Sequence, residues 1–168
     1  MDTRGVTFRS PTAEDIEFVV EHMREADRRE LKRWTGCDSR WGLENSVRQS
    51  EVCFSGVFAD GKVACIFGAT RINLLEDNAV IWSLSTDEVD SHRLAFAAGS
   101  KAGVDLIFRS LPDVGEFSNW VDLDYTQAVK WLEWLGGDFA VNSVRPGRCG
   151  GRFGEFYILN PYYKREEI

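Results

Sequence analysis

The chain has 168 residues and a mass of 19.1 kDa, with 43% hydrophobic, 12% aromatic and 28% charged residues. That composition suits one globular domain with a real core and excludes disordered, collagen-like and disulfide-scaffold classes. The 20 Lys and Arg against 27 Asp and Glu leave a net charge of −7, which argues against nucleic acid as a partner, because nonspecific binding rests on neutralising phosphates.

In chain order, Val6-Thr7-Phe8-Arg9 alternates as a short strand, and Ser10-Pro11 breaks it. Thr12 followed by Glu14 and Asp15 reads as a helix cap with acids in the first turn. Ile16, Val19, Val20, Met23, Ala26 and Leu31 recur at helical spacing, which predicts a single amphipathic helix from 14 to about 34, stopped by Gly36. On it Arg24, Arg28, Arg29, Lys32 and Arg33 interleave with Glu21, Glu25, Asp27 and Glu30, the pattern of a solvated face with i,i+4 pairs. A shorter helix is predicted over 39–49. Strands follow at 52–58 and 62–72, joined by the hairpin turn Asp60-Gly61, and a third at 79–84. Asp90-Ser91 reads as the cap of a helix over 92–111, which Pro112 ends. A strand at 117–123, a helix opening at Asp124-Tyr125-Thr126 and closed by Gly136-Gly137, and strands at 139–144 and 152–159 complete the domain. The fold class is α/β, with a central mixed, mostly antiparallel sheet flanked by helices. One domain over 1–160 is expected, with a charged tail over 161–168.

No apolar run approaches the roughly 18–20 residues of a membrane span, and Met1-Asp2-Thr3-Arg4-Gly5 leads into no apolar signal segment, so a soluble, unexported protein is expected. Cys37, Cys53, Cys65 and Cys149 form no C-x-x-C pair, and His22 and His92 lie far apart. No metal site is expected, and the thiols suit a reducing cytoplasm. The six tryptophans read as core and rim packing, although Trp131 and Trp134 share a helix face where an exposed indole would point to a protein partner.

The element order resembles that of the Gcn5-related N-acetyltransferases over Val6 to Leu159. The most specific piece, Gln127-Ala128-Val129-Lys130-Trp131-Leu132-Glu133-Trp134-Leu135-Gly136-Gly137-Asp138-Phe139, looks like the late helix and turn of that superfamily. A narrower similarity joins Trp82-Ser83-Leu84-Ser85-Thr86-Asp87-Glu88-Val89, the following helix, Asn119-Trp120-Val121 and the 127–139 segment to the internal virion protein A family of short-tailed bacteriophages. The resemblance implies acetyl-CoA as cofactor, its pyrophosphate held by backbone N–H groups at the start of the helix after the fourth strand. Its candidate binding positions here are Leu84, Thr86, His92, Arg93, Leu94 and Ala95.

Two departures stand out. With Arg93 in the leading position of the family pattern, Phe96 stands where the first phosphate-binding glycine is expected, and no glycine appears before Gly99. Asp87, Glu88 and Asp90 add negative charge nearby. Four residues after Ala128, where many members carry a tyrosine acid, this chain has Leu132; Tyr125 lies one turn early. Glu88, Asp124 and Tyr125 are the candidate proton-transfer residues. The departures favour a degenerate bacteriophage protein that acts in virion morphogenesis through contacts with phage or host proteins, in the host cytoplasm and in association with the particle. The alternative is an active acetyl-CoA-dependent N-acetyltransferase of a protein or small amine. Three uncommitted N–H groups within 91–95, beside a splayed strand pair, would mark the enzyme; a closed sheet with Phe96 filling the gap would mark the other.

Overall fold

In the computed structural model, which describes residues 5–164, the chain runs β1 (Val6–Arg9), α1 (Ala13–His22), α2 (Glu25–Thr35), α3 (Ser39–Gln49), β2 (Val52–Phe58), β3 (Val63–Arg71), β4 (Asn78–Ser85), a short 3-10 turn (Asp87–Asp90), α4 (Arg93–Ser110), β5 (Glu116–Asp122), α5 (Thr126–Trp134), β6 (Asp138–Pro146) and β7 (Arg152–Leu159). The strands form one seven-stranded sheet in the order β1-β2-β3-β4-β5-β7-β6. Every pairing is antiparallel except β4 with β5.

Local chemistry sets most boundaries. The Thr12 hydroxyl accepts from the Asp15 N–H at 3.1 Å and the Asp15 carboxylate accepts from the Thr12 N–H at 3.1 Å, a reciprocal cap on α1. Arg9 reaches the same carboxylate at 2.6 Å. Gly36 ends α2 in the left-handed region at φ 74°, a conformation open to glycine without steric cost.

Three expectations are corrected. The predicted 14–34 helix is two helices, because Met23 and Arg24 are extended and join the sheet end: Met23 bridges Thr86, and the Arg24 N–H donates to the Ser85 carbonyl at 3.0 Å. Arg28 folds back over the break and donates to the carbonyls of Val20, Glu21 and Met23, which α1 leaves exposed at its end. Asp90-Ser91 does not cap α4; those residues close the 3-10 turn, and His92 precedes the helix without a side-chain cap. The charge-patterned face of α2 is not simply solvated, since Asp27 is buried.

The larger core lies between the sheet and α4 with α5, around Ile107, Phe108, Phe117 and Phe156. Gly99 and Gly103 let α4 settle on the sheet; a Cβ at Gly99 would come within 2.9 Å of Val6, and one at Gly103 within 3.1 Å of Phe67. A smaller core on the opposite face joins Val19, Met23, Leu43, Ile66 and Leu84. Asn160 closes the C-terminal end of α4 by donating to the carbonyls of Phe108, Leu111 and Val114. Of the segment read as a tail, Tyr162 bonds Asp105 and Arg109 and Tyr163 bonds Asp77; 165–168 lie outside the described residues. Among the described residues no helix is long and apolar enough to cross a membrane.

Candidate active site

The parallel pair β4–β5 is joined only from Asn78 to Val80 against Glu116 to Ser118. Past that point the strands part. Strand alternation turns the backbone of Ile81, Ser83 and Ser85 toward the gap. Asn119 takes the Ile81 carbonyl at 2.8 Å, and the Ser85 N–H donates to Asp27 at 2.7 Å. Ser83 lies between them, facing the opening.

A cavity of about 450 Å³ occupies the parting, within the size range of small-molecule sites. The α1–α2 break places one end of it: Arg24 and Asp27 reach its wall, and Glu30 and Trp34 follow along the same side of α2. Tyr125 also lines it, beside Arg24 and Asp27, as do Phe96 of α4 and Trp131 of α5. A second, apolar cavity of about 80 Å³ beneath α4 shares Ser83, Phe96 and Trp131 with it.

Three groups in the first cavity form one hydrogen-bonded set. Arg24 Nη1 donates to the Tyr125 hydroxyl at 3.0 Å, and that hydroxyl is bonded to Asp27. Arg24 Nη2 reaches Asp90 and Gln127, each at 3.2 Å. Burial pushes the Asp27 carboxyl up to about 6, against the opposing pull of the Ser85 N–H, Tyr125 and Arg24. Burial pushes Glu30 up to about 8; the Asp122 N–H, which donates to it at 3.0 Å, opposes this, while the charges of Asp27 and Asp122 add to it. Burial and the neighbouring Asp27 charge raise Tyr125, so its phenol keeps its proton across the physiological range.

At the start of α4 the first helical bond runs from the Phe96 N–H to the His92 carbonyl at 2.9 Å, while the Ser91 and His92 N–H groups are taken by the carbonyls of Glu88 and Val89. The N–H groups of Arg93, Leu94 and Ala95 precede that bond and no side chain caps them. Three donors at the positive end of an 18-residue helix are a favourable place for an anion. The side chains of Arg93 and Leu94 are exposed, so they do not cover the donors. The acids nearby are largely matched: Glu88 pairs with Lys62 at 3.3 Å and Asp90 with Arg24 at 3.2 Å. The donor set therefore fits a pyrophosphate without the family's glycines; Gly99 serves the packing of α4 on Val6 instead. Phe96 lies in the cavity wall, stacked on Trp131 with ring centres 5.8 Å apart.

The sequence-derived positions scatter across this arrangement. Tyr125 lies in the cavity. Glu88 stands by the β2–β3 turn with Lys62, and Asp124 is exposed beside Arg33 at 3.1 Å. Leu84 lines the cavity as well as joining the smaller core, and the buried Thr86 hydroxyl donates to the Val63 carbonyl at 2.7 Å. His92 stacks on Phe58 and its Nε2 contacts Asp60 at 3.1 Å. Arg93, Leu94 and Ala95 carry the uncapped donors. Leu132, at the expected acid position, is buried. Sequence reasoning missed Arg24, Asp27, Glu30 and Trp34. The available signal was the spacing of Asp27, Leu31 and Trp34, which share one helix face whose apolar members point inward. The tryptophans pack in the core and at the rim, and Trp34, Trp41, Trp82, Trp120 and Trp131 also line the cavity.

The architecture is the Gcn5-related N-acetyltransferase fold. The chain is similar to the spermidine N-acetyltransferase of Vibrio cholerae, solved in complex with CoA and spermine, at 16% identity and a TM-score of 0.69 over 95% of this chain and 98% of that one. It is also similar to the ribosomal-protein alanine N-acetyltransferase of Escherichia coli, at 17% identity and a TM-score of 0.62 over 97% and 98%. No protein-family model and no curated protein matches the chain.

Proposed function

We propose that the protein is an acetyl-CoA-dependent N-acetyltransferase acting on an amine. The observation that carries this reading is the Arg24–Tyr125–Asp27 set in a cavity at the parting of β4 and β5, with the uncapped start of α4 alongside. The neighbours in fold that are named N-acetyltransferases support it over a role confined to particle assembly. The backbone N–H groups of Arg93, Leu94 and Ala95 would hold the pyrophosphate, and the Ser83 backbone would face the arm that leads to the thioester. Bound acetyl-CoA would supply an acetyl group activated as a thioester; an ammonium acceptor gives up two protons in becoming the amide, one taken by Asp27 and one leaving with the thiol.

The chain's own part is proton handling. A carboxyl at about 6 is ionised at neutral pH yet still basic enough to take a proton from an ammonium, which suits Asp27 as general base. Tyr125 is bonded to Asp27 and keeps its own proton, so a proton accepted at the carboxylate can be matched by one given up from the phenol oxygen. Arg24 fixes that oxygen from the other side.

The test is acetyl-CoA-dependent thiol release with a panel of primary amines, wild type against Asp27→Asn. The variant should lose about 10²-fold or more in kcat/KM, the usual contribution of a positioned base. The wild-type rate should rise with pH through about 6, and this limb should be absent from Asp27→Asn. Thiol release that the substitution leaves unchanged would remove Asp27 from the chemistry. No release with any amine would reject the reading.

A further inference from the structure

Five of the six tryptophans converge on one cavity, while the charged side chains in its lining are Arg24, Asp27 and Glu30. Arg24 is spent on Tyr125, Asp90 and Gln127. The remaining pair of carboxyls lies within one turn of α2 and forms a single acidic spot, not a row. The indoles around it are held in place. Trp34 stacks on Trp120 with ring centres 5.8 Å apart and leans on Phe153 at 4.7 Å. Trp82 Nε1 donates to the Ser50 hydroxyl at 2.7 Å and Trp131 Nε1 to the Ser100 hydroxyl at 3.2 Å. Those two rings therefore present apolar surface, with their N–H groups already satisfied.

Resting on the acyltransferase reading, we propose that the acceptor is a primary amine with one positive charge on an aromatic body, and not a polyamine. An ammonium is attracted both to the acidic spot and to neighbouring ring faces, and an aromatic body buries apolar area against the indoles. A second or third ammonium further along a polyamine would leave water with no carboxylate to meet it, a cost that ring contacts alone do not offset. The ionisation of the two acids agrees: with Asp27 at about 6 and Glu30 at about 8, the pair carries close to one negative charge at neutral pH.

The test is calorimetric binding to the full chain without any acyl donor, using 2-phenylethylamine, n-butylamine and spermidine. Phenylethylamine should bind at least tenfold more tightly than either of the others. Trp41→Ala, at the half-exposed rim, should weaken phenylethylamine at least threefold and leave butylamine unchanged. Spermidine binding as tightly, butylamine binding as tightly, or no binding by any amine would overturn the proposal; the wild-type comparison does not depend on the variant. If phenylethylamine is preferred but no N-acetyl product forms with acetyl-CoA, the acyltransferase reading fails and the amine site stands. If acetyl transfer proceeds with spermidine preferred, the reverse holds.

Discussion

Glu30 and Asp27 are carboxyls that the fold holds in their acid form at pH values where the unfolded chain has released the proton. Their ordinary values of 4.5 and 3.8 rise to about 8 and about 6, for the reason that both are taken out of water. The folded state therefore binds more protons than the unfolded state across these windows. Their stabilising contribution is complete below the unfolded values and is lost as pH rises, to about 6 for Asp27 and about 8 for Glu30. Thermal stability should fall from pH 5 to pH 8, and Glu30→Gln should flatten the fall by about 3 °C or more, which corresponds to roughly 1 kcal/mol in a chain of this size. The melting temperature of both proteins across that range checks it; parallel curves would contradict the burial of Glu30. Asp15 shows the opposite balance. Burial raises its carboxyl, yet Arg9 and the Thr12 N–H outweigh that effect and hold it below the usual range.

At the scale of elements, the break between α1 and α2 builds the site. It aims Arg24 at Tyr125 and carries Asp27 to the Ser85 N–H. Arg28 stabilises the break by meeting three carbonyls at the end of α1. Arg28→Ala should therefore cost about 1.5–3 kcal/mol, the range for hydrogen bonds that involve a charged group, as read by denaturant unfolding. An unchanged midpoint would show that water serves those carbonyls equally well. The break also shows where sequence reading ends. Gly61 at φ 88° and Gly136 at φ 96° mark turns that their own conformational freedom announces, and the Thr12 cap is written in adjacent residues. The apolar spacing through Ile16, Val19, Met23 and Leu31 carries no such mark. The chain leaves the helix at Met23 because Thr86 and Ser85, more than 60 residues away, provide the bonds that replace it. The same distance hid the acidic wall of the site that α2 supplies, although Tyr125 and the donors at Arg93 to Ala95 were legible. Asp27 and Glu30 sit among arginines in a charge pattern that also describes a surface face, and only tertiary contacts, the packing of Trp34 on Phe153 and Trp120 and the N–H groups of Ser85 and Asp122, turn them inward.

Across the whole molecule, the elements of the candidate site meet at the opening where β4 and β5 part. α2 brings the carboxyls, α5 follows the tyrosine that meets them, and α4 starts with three uncapped donors alongside. The ion pairs there suit an anion, with Lys62 and Arg24 matching acids close to the donors. The central claim is that this opening takes acetyl-CoA with its pyrophosphate on the start of α4. It is tested most directly by titrating acetyl-CoA into the wild type and into Leu94→Asp in a calorimeter. Leu94 is 88% exposed in the first turn of α4, so an aspartate there suits the helix end and should leave the melting temperature equal or higher, while its charge opposes a pyrophosphate. Micromolar binding to the wild type, weakened at least tenfold in Leu94→Asp, is the expected result. No binding at millimolar acetyl-CoA, or equal binding by the two proteins, would contradict it.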